Sequence, residues 1–258
     1  MALDETTADL ARIADEMEVW DGSAGADSVP AEPGRMASLA RKLGRSLSRG
    51  AKGSAVGLAD RLMAAAPRIK VRDVATLRAH HSDARSAEEL ADRIAAAGTR
   101  AAGAVGAGAG AAAMMPVPFA MPVEIAAELL AVAAVEFKMI AELYEAYGQP
   151  AQGNLKQRSL AYLSVWSERR GLDVASPATI LALGKSAALR KSIRRRLTLS
   201  GFRKLPTLTP FMIGAAAGAY VNRRDTARLA ADIRRSLRER QPADPNYWLA
   251  ARPPLREP

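Results

Sequence analysis

Two glycine patterns in the sequence have the spacing of phosphate-binding motifs. Gly106, Gly108 and Ala111 match G-x-G-x-x-[GA], the fingerprint of dinucleotide-binding folds. That loop must follow a strand, whereas this pattern follows a helical segment. The run LGKS at 183–186 ends like a P-loop, but Thr179 stands where the first glycine is required. Neither pattern predicts a nucleotide site, and we expect no cofactor.

Other side chains that could carry out chemistry are few. His80 and His81 are adjacent, so a helix cannot direct both at one metal ion, and no acid-rich ligand pattern accompanies them. We interpret them as solvated loop histidines. The chain has no cysteine, no G-x-S-x-G motif and no third member for a catalytic triad. The sequence therefore predicts no metal ligand and no catalytic residue, and it favours a non-enzymatic function.

Charge is distributed very unevenly along the chain, whose net charge is +10. Residues 1–32 carry nine acids and one base, a net charge of −8, so residues 33–258 carry +18. Between Asp173 and Asp225 there are ten bases and no acid. Such a segment attracts anionic lipid, phosphate or an acidic protein segment. The acidic N-terminus is itself a candidate partner for it.

The densest basic cluster lies inside this acid-free window. Leu189, Ile193 and Leu197 form the narrow apolar stripe of a predicted amphipathic helix, with bases around the rest. The candidate contacts with lipid or another anion are Lys185, Arg190, Lys191, Arg194, Arg195 and Arg196. No aromatic side chains are interleaved with them, which disfavours nucleic acid as the partner. The cluster predicts binding to an anionic membrane surface or an acidic protein segment, with an ordinary solvated helix as the alternative.

Two polar side chains are expected inside the core. Glu136 lies on the apolar side of a predicted helix at 124–147, and Asn222 shares a helix face with Leu229 and Ile233. The polar stripe of the first helix, which we expect to face solvent, comprises Glu124, Glu128, Lys138, Glu142 and Glu145. A buried carboxylate needs a partner, and the candidates for Glu136 are Asn222 and the run 194–196.

Helical signals cover most of the chain, and no segment alternates with the period of two that a strand requires. Capping residues and prolines begin the predicted helices, and glycine or proline ends them. The predicted helices cover about 4–19, 36–47, 54–65, 74–80, 86–113, 124–147, 155–170, 177–199 and 210–240. The sequence therefore predicts an all-α fold, with one domain of about seven or eight helices.

The composition divides the chain into three parts. Residues 1–34 are predicted to be an acidic N-terminal arm, with a short helix and then a flexible linker rich in Gly, Ser, Pro and Asp. Residues 35–241 form the predicted helical domain, and residues 242–258 form a proline-rich tail that we expect to be irregular. The acidic start lacks the apolar core of a secretory signal, so we expect a cytoplasmic protein.

Two uncharged segments, 101–123 and 205–222, carry the glycine spacing of close helix packing. The pairs are Gly106 with Gly110 and Gly214 with Gly218, each forming G-x-x-x-G. Small residues at this spacing let two backbones approach closely, and the two faces are predicted to pack as an antiparallel pair. A glycine-lined hairpin that enters a membrane is the alternative, although prolines and a shortage of large apolar side chains weaken it.

Four features of residues 85–240 occur together in one known family. They are the run AAGAVGAGAGAAA followed by a proline break, a long helix ending in IAELYEAYGQP, a basic stretch, and GAAAGAYVNRRDTARLAADIRRSL. This pattern resembles the EcsC family of bacterial proteins. The resemblance implies an all-α bacterial protein that is associated with membranes and has no established reaction. The acidic segment 1–34 and the very basic segment 174–224 depart from the family pattern.

Two functions are compatible with these features. The first is an EcsC-like helical protein that acts at the inner face of the cytoplasmic membrane, through basic helices and a glycine-rich hairpin. The second is a soluble interaction or scaffold protein whose basic surface binds an acidic partner or its own acidic arm.

Overall fold

The local signals that begin and end helices operate as the sequence predicts. In the computed structural model, Asp73 Oδ1 accepts a hydrogen bond from the Thr76 amide at 2.8 Å and begins the helix at 74. Asn154 and Gln157 cap each other's backbone amides at the start of the helix at 155. Gly148, with φ of +66°, follows the end of the long helix that precedes it. Such a left-handed residue favours glycine.

The structure describes residues 2–22, 33–49, 55–112, 121–170 and 213–251. Within these ranges all regular structure is helical, which confirms the predicted all-α fold. The helices are α1 (Ala2–Asp15), α2 (Met17–Asp21), α3 (Pro33–Arg49), α4 (Ala55–Ala65), α5 (Val74–His80), α6 (Ala87–Ala112), α7 (Met121–Ala146), α8 (Leu155–Arg169), α9 (Ile213–Arg238) and α10 (Tyr247–Ala250), with a 3₁₀ turn at Ala66–Arg68.

The helix α7 lies at the centre of the molecule. It packs against α1, α3, α6, α8 and α9, and α6 packs in turn against α2, α3 and α9. Many of the buried side chains are alanines, which bring the helix axes close together. The larger core side chains include Leu130, Phe137 and Ile140 on α7. Because α7 is enclosed on so many sides, its polar residues must find partners within the protein.

The antiparallel pair α6 and α9 crosses at two glycines. A Cβ atom built on Gly106 would lie 2.7 Å from the carbonyl oxygen of Gly218, and one on Gly218 would lie 3.1 Å from that of Gly106. This backbone contact confirms the predicted close packing of the two glycine faces. Gly110 and Gly214 lie in the same helices, but their surroundings fall outside the described residues. Over the ranges described, no helix is both long and apolar enough to cross a membrane.

The acidic N-terminal segment is part of the helical core. Leu10, Ile13 and Met17 are completely buried, and α1 packs against α3, α4 and α7. Their spacing of three and four residues places them on one face of α1 and its continuation. Residues 2–22 are therefore not the separate arm that the charge pattern predicted. Of the linker predicted at 21–34, Asp21 belongs to α2 and residues 33–34 begin α3, while residues 23–32 lie outside the described residues.

The segment after α9 also packs back onto the molecule. The ring of Tyr247 covers Gly148, where an added Cβ would lie 2.5 Å from the Tyr247 Cγ. The Arg78 guanidinium lies 4.1 Å from the ring centroid of Trp248 and also donates to the Trp248 carbonyl. Residues 247–250 are helical rather than irregular as predicted, since these aromatic contacts hold them in place. Residues 252–258 lie outside the described part of the chain.

Candidate functional site

The helix α9 separates two kinds of polar side chain onto two faces. Asn222 and Thr226 are buried on the inner face, together with the apolar core positions of this helix. Arg224, Arg228 and Arg235 are exposed on the outer face. The helical period of 3.6 residues produces this division, as the sequence predicted. The outer face is a basic surface, and the inner face belongs to a buried polar network.

The C-terminal half of α9 is neutralised by acids of α6. Arg238 donates to both oxygens of Glu88 at 2.8 and 2.6 Å, and Arg234 pairs with Glu88 at 2.9 Å and with Asp92 at 2.6 Å. The Tyr147 hydroxyl also donates to Glu88, at 2.8 Å. The hydrogen bond from Arg238, assisted by Arg234 and Tyr147, lowers the pKa of Glu88 to about 2. These arginines therefore serve to fasten α9 to the start of α6.

The part of α9 that precedes these paired arginines, as far as Arg228, has a different surface. Arg223, Arg224 and Arg228 are exposed, and no described acid forms an ion pair with them. Beside them, Tyr220 is 63% exposed and Val221 is 40% exposed. A basic surface with an exposed aromatic side chain is suited to an anionic partner that has an apolar layer beneath its charges. We call these five residues the α9 basic patch.

The α9 basic patch lies at one particular end of the helix bundle. Since α6 runs antiparallel to both α7 and α9, the end of α6 at Ala112 and the starts of α7 at Met121 and of α9 at Ile213 lie on the same side. The Gly106–Gly218 crossing is near this side, and we call it the glycine end. The opposite end carries the Glu88 cluster. The charge of the α6–α9 pair is therefore polarised along its length.

Glu136 occupies a buried position between three helices. Its side chain is 1% exposed, and it accepts hydrogen bonds from Trp166 Nε1 and Thr226 Oγ1, each at 2.8 Å. The Arg170 guanidinium pairs with the same carboxylate. These donors come from α8, α9 and the residue that follows α8. The carboxylate is thus fully used in joining α7 to its neighbours, which is a structural role.

Asn222 is buried too, but it does not pair with Glu136. Its Nδ2 donates to Glu128 Oε1 at 2.9 Å, and it lies 2.6 Å from where a Gly106 Cβ would be. The predicted Asn222–Glu136 pair is therefore wrong, because Thr226, one turn along α9, faces Glu136 instead. The small volume of Gly106 leaves room for the Asn222 amide, which links α6, α7 and α9.

The polar stripe of α7 is buried, contrary to the prediction that it faces solvent. Glu142 and Lys138 are completely buried, and Glu128 and Glu145 are nearly so. Residues 15–21 and the segment 69–73 cover Glu142 and Lys138, while Arg158 of α8 pairs with Glu145. The side chain of Glu124 is outside the described residues.

The covered part of the stripe forms an ionic cluster. Arg72 donates two hydrogen bonds of 2.8 Å to Glu142, from Nε to Oε1 and from NH2 to Oε2. Its NH2 group also donates to Asp21 Oδ2 at 2.7 Å. Lys138 Nζ lies 2.9 Å from Glu18 Oε1 and 3.2 Å from Glu142 Oε1. Three segments that are distant in sequence, α2, residues 69–73 and α7, therefore meet at one set of charges.

The electrostatic balance of the ionic cluster keeps its bases charged. Burial by itself would lower the pKa of Lys138 and of Arg72, but the neighbouring carboxylates outweigh it and raise the pKa of both. Burial raises the pKa of the nearby Asp15 carboxyl, although Lys138 opposes the increase. Buried ion pairs of this kind contribute little net stability, but removal of one partner is strongly destabilising.

The N-terminal acids pair with bases of the helical body. Asp9 lies 2.9 Å from Lys42 Nζ, and Glu16 lies 2.8 Å from an Arg35 guanidinium nitrogen, both on α3. The acids in residues 2–22 that form ion pairs with other described residues include Asp4, Asp9, Asp15, Glu16, Glu18 and Asp21. These pairs give the acidic segment a function within the fold.

The two histidines belong to the edge of the ionic cluster. His81 is buried, with Nε2 3.5 Å from Asp21 Oδ2, whereas His80 is exposed and has Nδ1 3.4 Å from Arg72 NH1. The interpretation of both as solvated loop residues is therefore wrong for His81. No group of three His, Cys, Asp or Glu that could hold a metal occurs among the residues that the structure describes.

The basic cluster that the sequence singled out lies outside the described residues. It comprises Lys185, Arg190, Lys191, Arg194, Arg195 and Arg196. The predicted helix at 177–199 also falls there. Within the acid-free window the structure gives positions to residues 213–224, which include Arg223 and Arg224 of the α9 basic patch.

Comparison with known proteins gives no match to this chain. No protein-family model matches it, and no curated protein or solved structure does either.

Proposed function

We propose that the protein is a non-enzymatic, EcsC-like helical protein that binds the anionic surface of the cytoplasmic membrane. The observation that carries this proposal is the α9 basic patch. Its exposed arginines have no acid to neutralise them among the described residues, whereas those at the other end of α9 pair with Glu88 and Asp92. A base near an anionic bilayer contributes about 1 kcal/mol to binding.

Two sequence features support the same proposal. The α9 basic patch continues the acid-free window from 174 to 224, so further bases adjoin it in the chain. The resemblance to the EcsC family adds an expected membrane association. In this proposal the glycines act within the protein, since Gly106 and Gly218 are used for helix packing. Contact with lipid is then made by the outer face of α9.

Vesicle binding tests the proposal directly. We expect the full chain to sediment with vesicles of phosphatidylcholine and phosphatidylglycerol but poorly with phosphatidylcholine alone. Binding should weaken as salt rises, because exposed charges are screened within about 8 Å at physiological ionic strength. The variant R224Q/R228Q should bind about 30-fold more weakly, at about 1 kcal/mol for each base. The matched control is Arg85→Gln, an exposed arginine just before α6 at the opposite end, which should leave binding nearly unchanged.

The same assay separates the membrane from an acidic protein partner. Polyglutamate stands in for an acidic protein segment. Binding to polyglutamate with no binding to either kind of vesicle would overturn the proposal and favour the interaction protein. Equal binding to neutral and anionic vesicles would also overturn it, because the arginines would then contribute nothing.

A further inference from the structure

The proposed contact with a membrane does not determine how the molecule is oriented on the bilayer. If α9 lay flat, all its outward arginines would reach the lipid. If α9 stood on its N-terminal end, only the α9 basic patch would do so. Three features of the described residues decide between these arrangements.

The first feature is the placement of exposed apolar side chains. Tyr220 and Val221 are adjacent on α9 and precede Arg224 by one turn. Tyrosine is enriched at membrane interfaces because its ring is apolar and its hydroxyl is polar. Farther along the outer face of α9, the exposed positions are alanines and arginines, such as Ala231 and Arg235. Along α9, the large exposed apolar side chains are thus confined to the part nearer the glycine end.

The second feature is the placement of acids. From residue 213 to residue 231, α9 contains one acid, Asp225. The far end of α9 lies beside Glu88 and Asp92 of α6, and it carries Asp232, which pairs with Arg235 at 3.4 Å. These acids neutralise the arginines of the far end. Electrostatics therefore gives the far end little attraction for the lipid.

The third feature is the shortage of charge on the other helix at the glycine end. The α6 sequence is uncharged from 101 to its end at Ala112, and α7 begins at Met121 without a charge until Glu124. On this side α6 brings no acid into the headgroup region, and the first acid of α7 there is Glu124. The uncharged ends, the exposed aromatic residue and the arginines lie on the same side of the bundle.

We infer that the protein docks end-on, with the glycine end toward an anionic lipid bilayer. Tyr220 then lies at the level of the headgroups, and Arg223, Arg224 and Arg228 contact lipid phosphates. This inference rests on the proposed function and adds an orientation to it. From Tyr220 to Arg235 the helix rises about 22 Å, more than twice the screening length of about 8 Å, so Arg235 stands outside the field of the membrane.

The absence of cysteine makes the orientation measurable at single positions. We would introduce Tyr220→Cys and, as the matched control, Ala231→Cys, and attach an environment-sensitive fluorophore to each. The two exposed positions lie within about 20° of each other around α9 but about 16 Å apart along it. With vesicles containing phosphatidylglycerol, we expect the label at 220 to shift to the blue and to be quenched by spin-labelled lipid. The label at 231 should do neither.

Other outcomes overturn the inference or the proposed function separately. If both labels respond equally, α9 lies flat and the end-on orientation is wrong. If the vesicles bind both labelled proteins but neither label responds, another surface makes the contact. If neither protein binds anionic vesicles, the proposed function itself fails.

Charge substitutions give an independent reading of the same orientation. Arg224→Gln should weaken vesicle binding about fivefold, the equivalent of about 1 kcal/mol. Arg235→Gln should weaken it less than about twofold because of the screening distance. Equal losses for the two variants, with unchanged circular dichroism, would exclude the end-on arrangement.

Discussion

Glu136 shows how much of the fold depends on a single carboxylate. It accepts hydrogen bonds from Trp166 and Thr226 and pairs with Arg170. We expect Glu136→Ala to reduce the free energy of unfolding by about 3–5 kcal/mol, because the Arg170 charge and two donors lose this partner. Urea denaturation of the two proteins measures the difference. The control is Glu168→Ala, at an exposed position of α8, which should change stability by less than about 0.5 kcal/mol.

A loss of stability as small as that of Glu168→Ala would mean that Glu136 does not stabilise the packing of α7 against α8 and α9.

Glu142 is expected to be as sensitive as Glu136, although its sequence context predicts a solvated residue. Its carboxylate forms ion pairs with both Arg72 and Lys138 and is completely buried. We expect Glu142→Ala to reduce the free energy of unfolding by about 3–5 kcal/mol, since two buried bases lose their shared carboxylate. The same denaturation measurement applies, again with Glu168→Ala as control. A change below about 0.5 kcal/mol would show that the stripe is solvated after all.

The contrast between these two carboxylates shows which part of a site the sequence predicts. Glu136 stands out because it is a charge among apolar residues of one helix, and that is a local signal. Glu142 lies in a continuous polar stripe, and its burial depends on Arg72 and on residues 15–21, which are distant in sequence. A local signal was present in the covering segment. Leu10, Ile13 and Met17 have the spacing of a helix face that must be buried.

At the scale of helices, the crossing of α6 and α9 depends on the absence of a side chain at Gly106. We expect Gly106→Ala to destabilise the protein by about 1–3 kcal/mol, because the added methyl would meet the backbone of Gly218 and the Asn222 amide. Thermal or urea denaturation measures this. The matched control is Gly44→Ala in α3, where the new Cβ would lie 3.8 Å from Ala127 Cβ, an ordinary contact.

Gly44→Ala should stabilise by up to about 1 kcal/mol through helix propensity. Similar stabilisation by Gly106→Ala would show that the two helices are farther apart than described.

The far ends of the same helices are joined by Glu88, and this contact depends on pH. The folded pKa of Glu88 is lowered to about 2 from an ordinary value of 4.5, chiefly by the hydrogen bond from Arg238. The stabilisation is therefore present above about pH 4.5 and is lost as the pH falls toward 2. We expect the stability difference between the unmodified protein and Glu88→Gln to shrink over this range in urea denaturation. A difference that is constant from pH 6 to 2 would contradict the assignment.

Helix bounds and caps were largely predictable, because they depend on neighbours within one turn. Asp73, Asn154 and Gly148 act as their residue types and spacing indicate. The antiparallel glycine pairing was predictable for a related reason, since glycine in a helix interior is unfavourable unless packing requires it. Which polar faces are covered was not predictable, because α1 and the segment 69–73 reach α7 from distant parts of the chain.

At the scale of the whole molecule, we expect residues 2–22 to be required for folding. Their removal would expose the core around Leu10, Ile13 and Met17 and would leave Lys138 and Arg72 without Glu18 and Asp21. Burial of each large apolar side chain contributes about 1.5–3 kcal/mol, so three of them account for much of a typical domain's 5–15 kcal/mol. We expect the deletion to abolish cooperative thermal unfolding.

The control for the deletion replaces Glu5, in the same segment, with glutamine, and it should unfold cooperatively. A deletion variant that unfolds cooperatively and binds anionic vesicles more tightly would restore the idea of a detachable acidic arm.

The ionic cluster also constrains how this protein can change through evolution. Asp21, Arg72, Lys138 and Glu142 come from three separate segments, yet each relies on another for its charge balance. A substitution at one of them leaves a buried charge without its partner, so an isolated change is selected against. Related sequences should therefore either keep all four residues or replace them together with uncharged ones. The four positions are expected to vary as a unit.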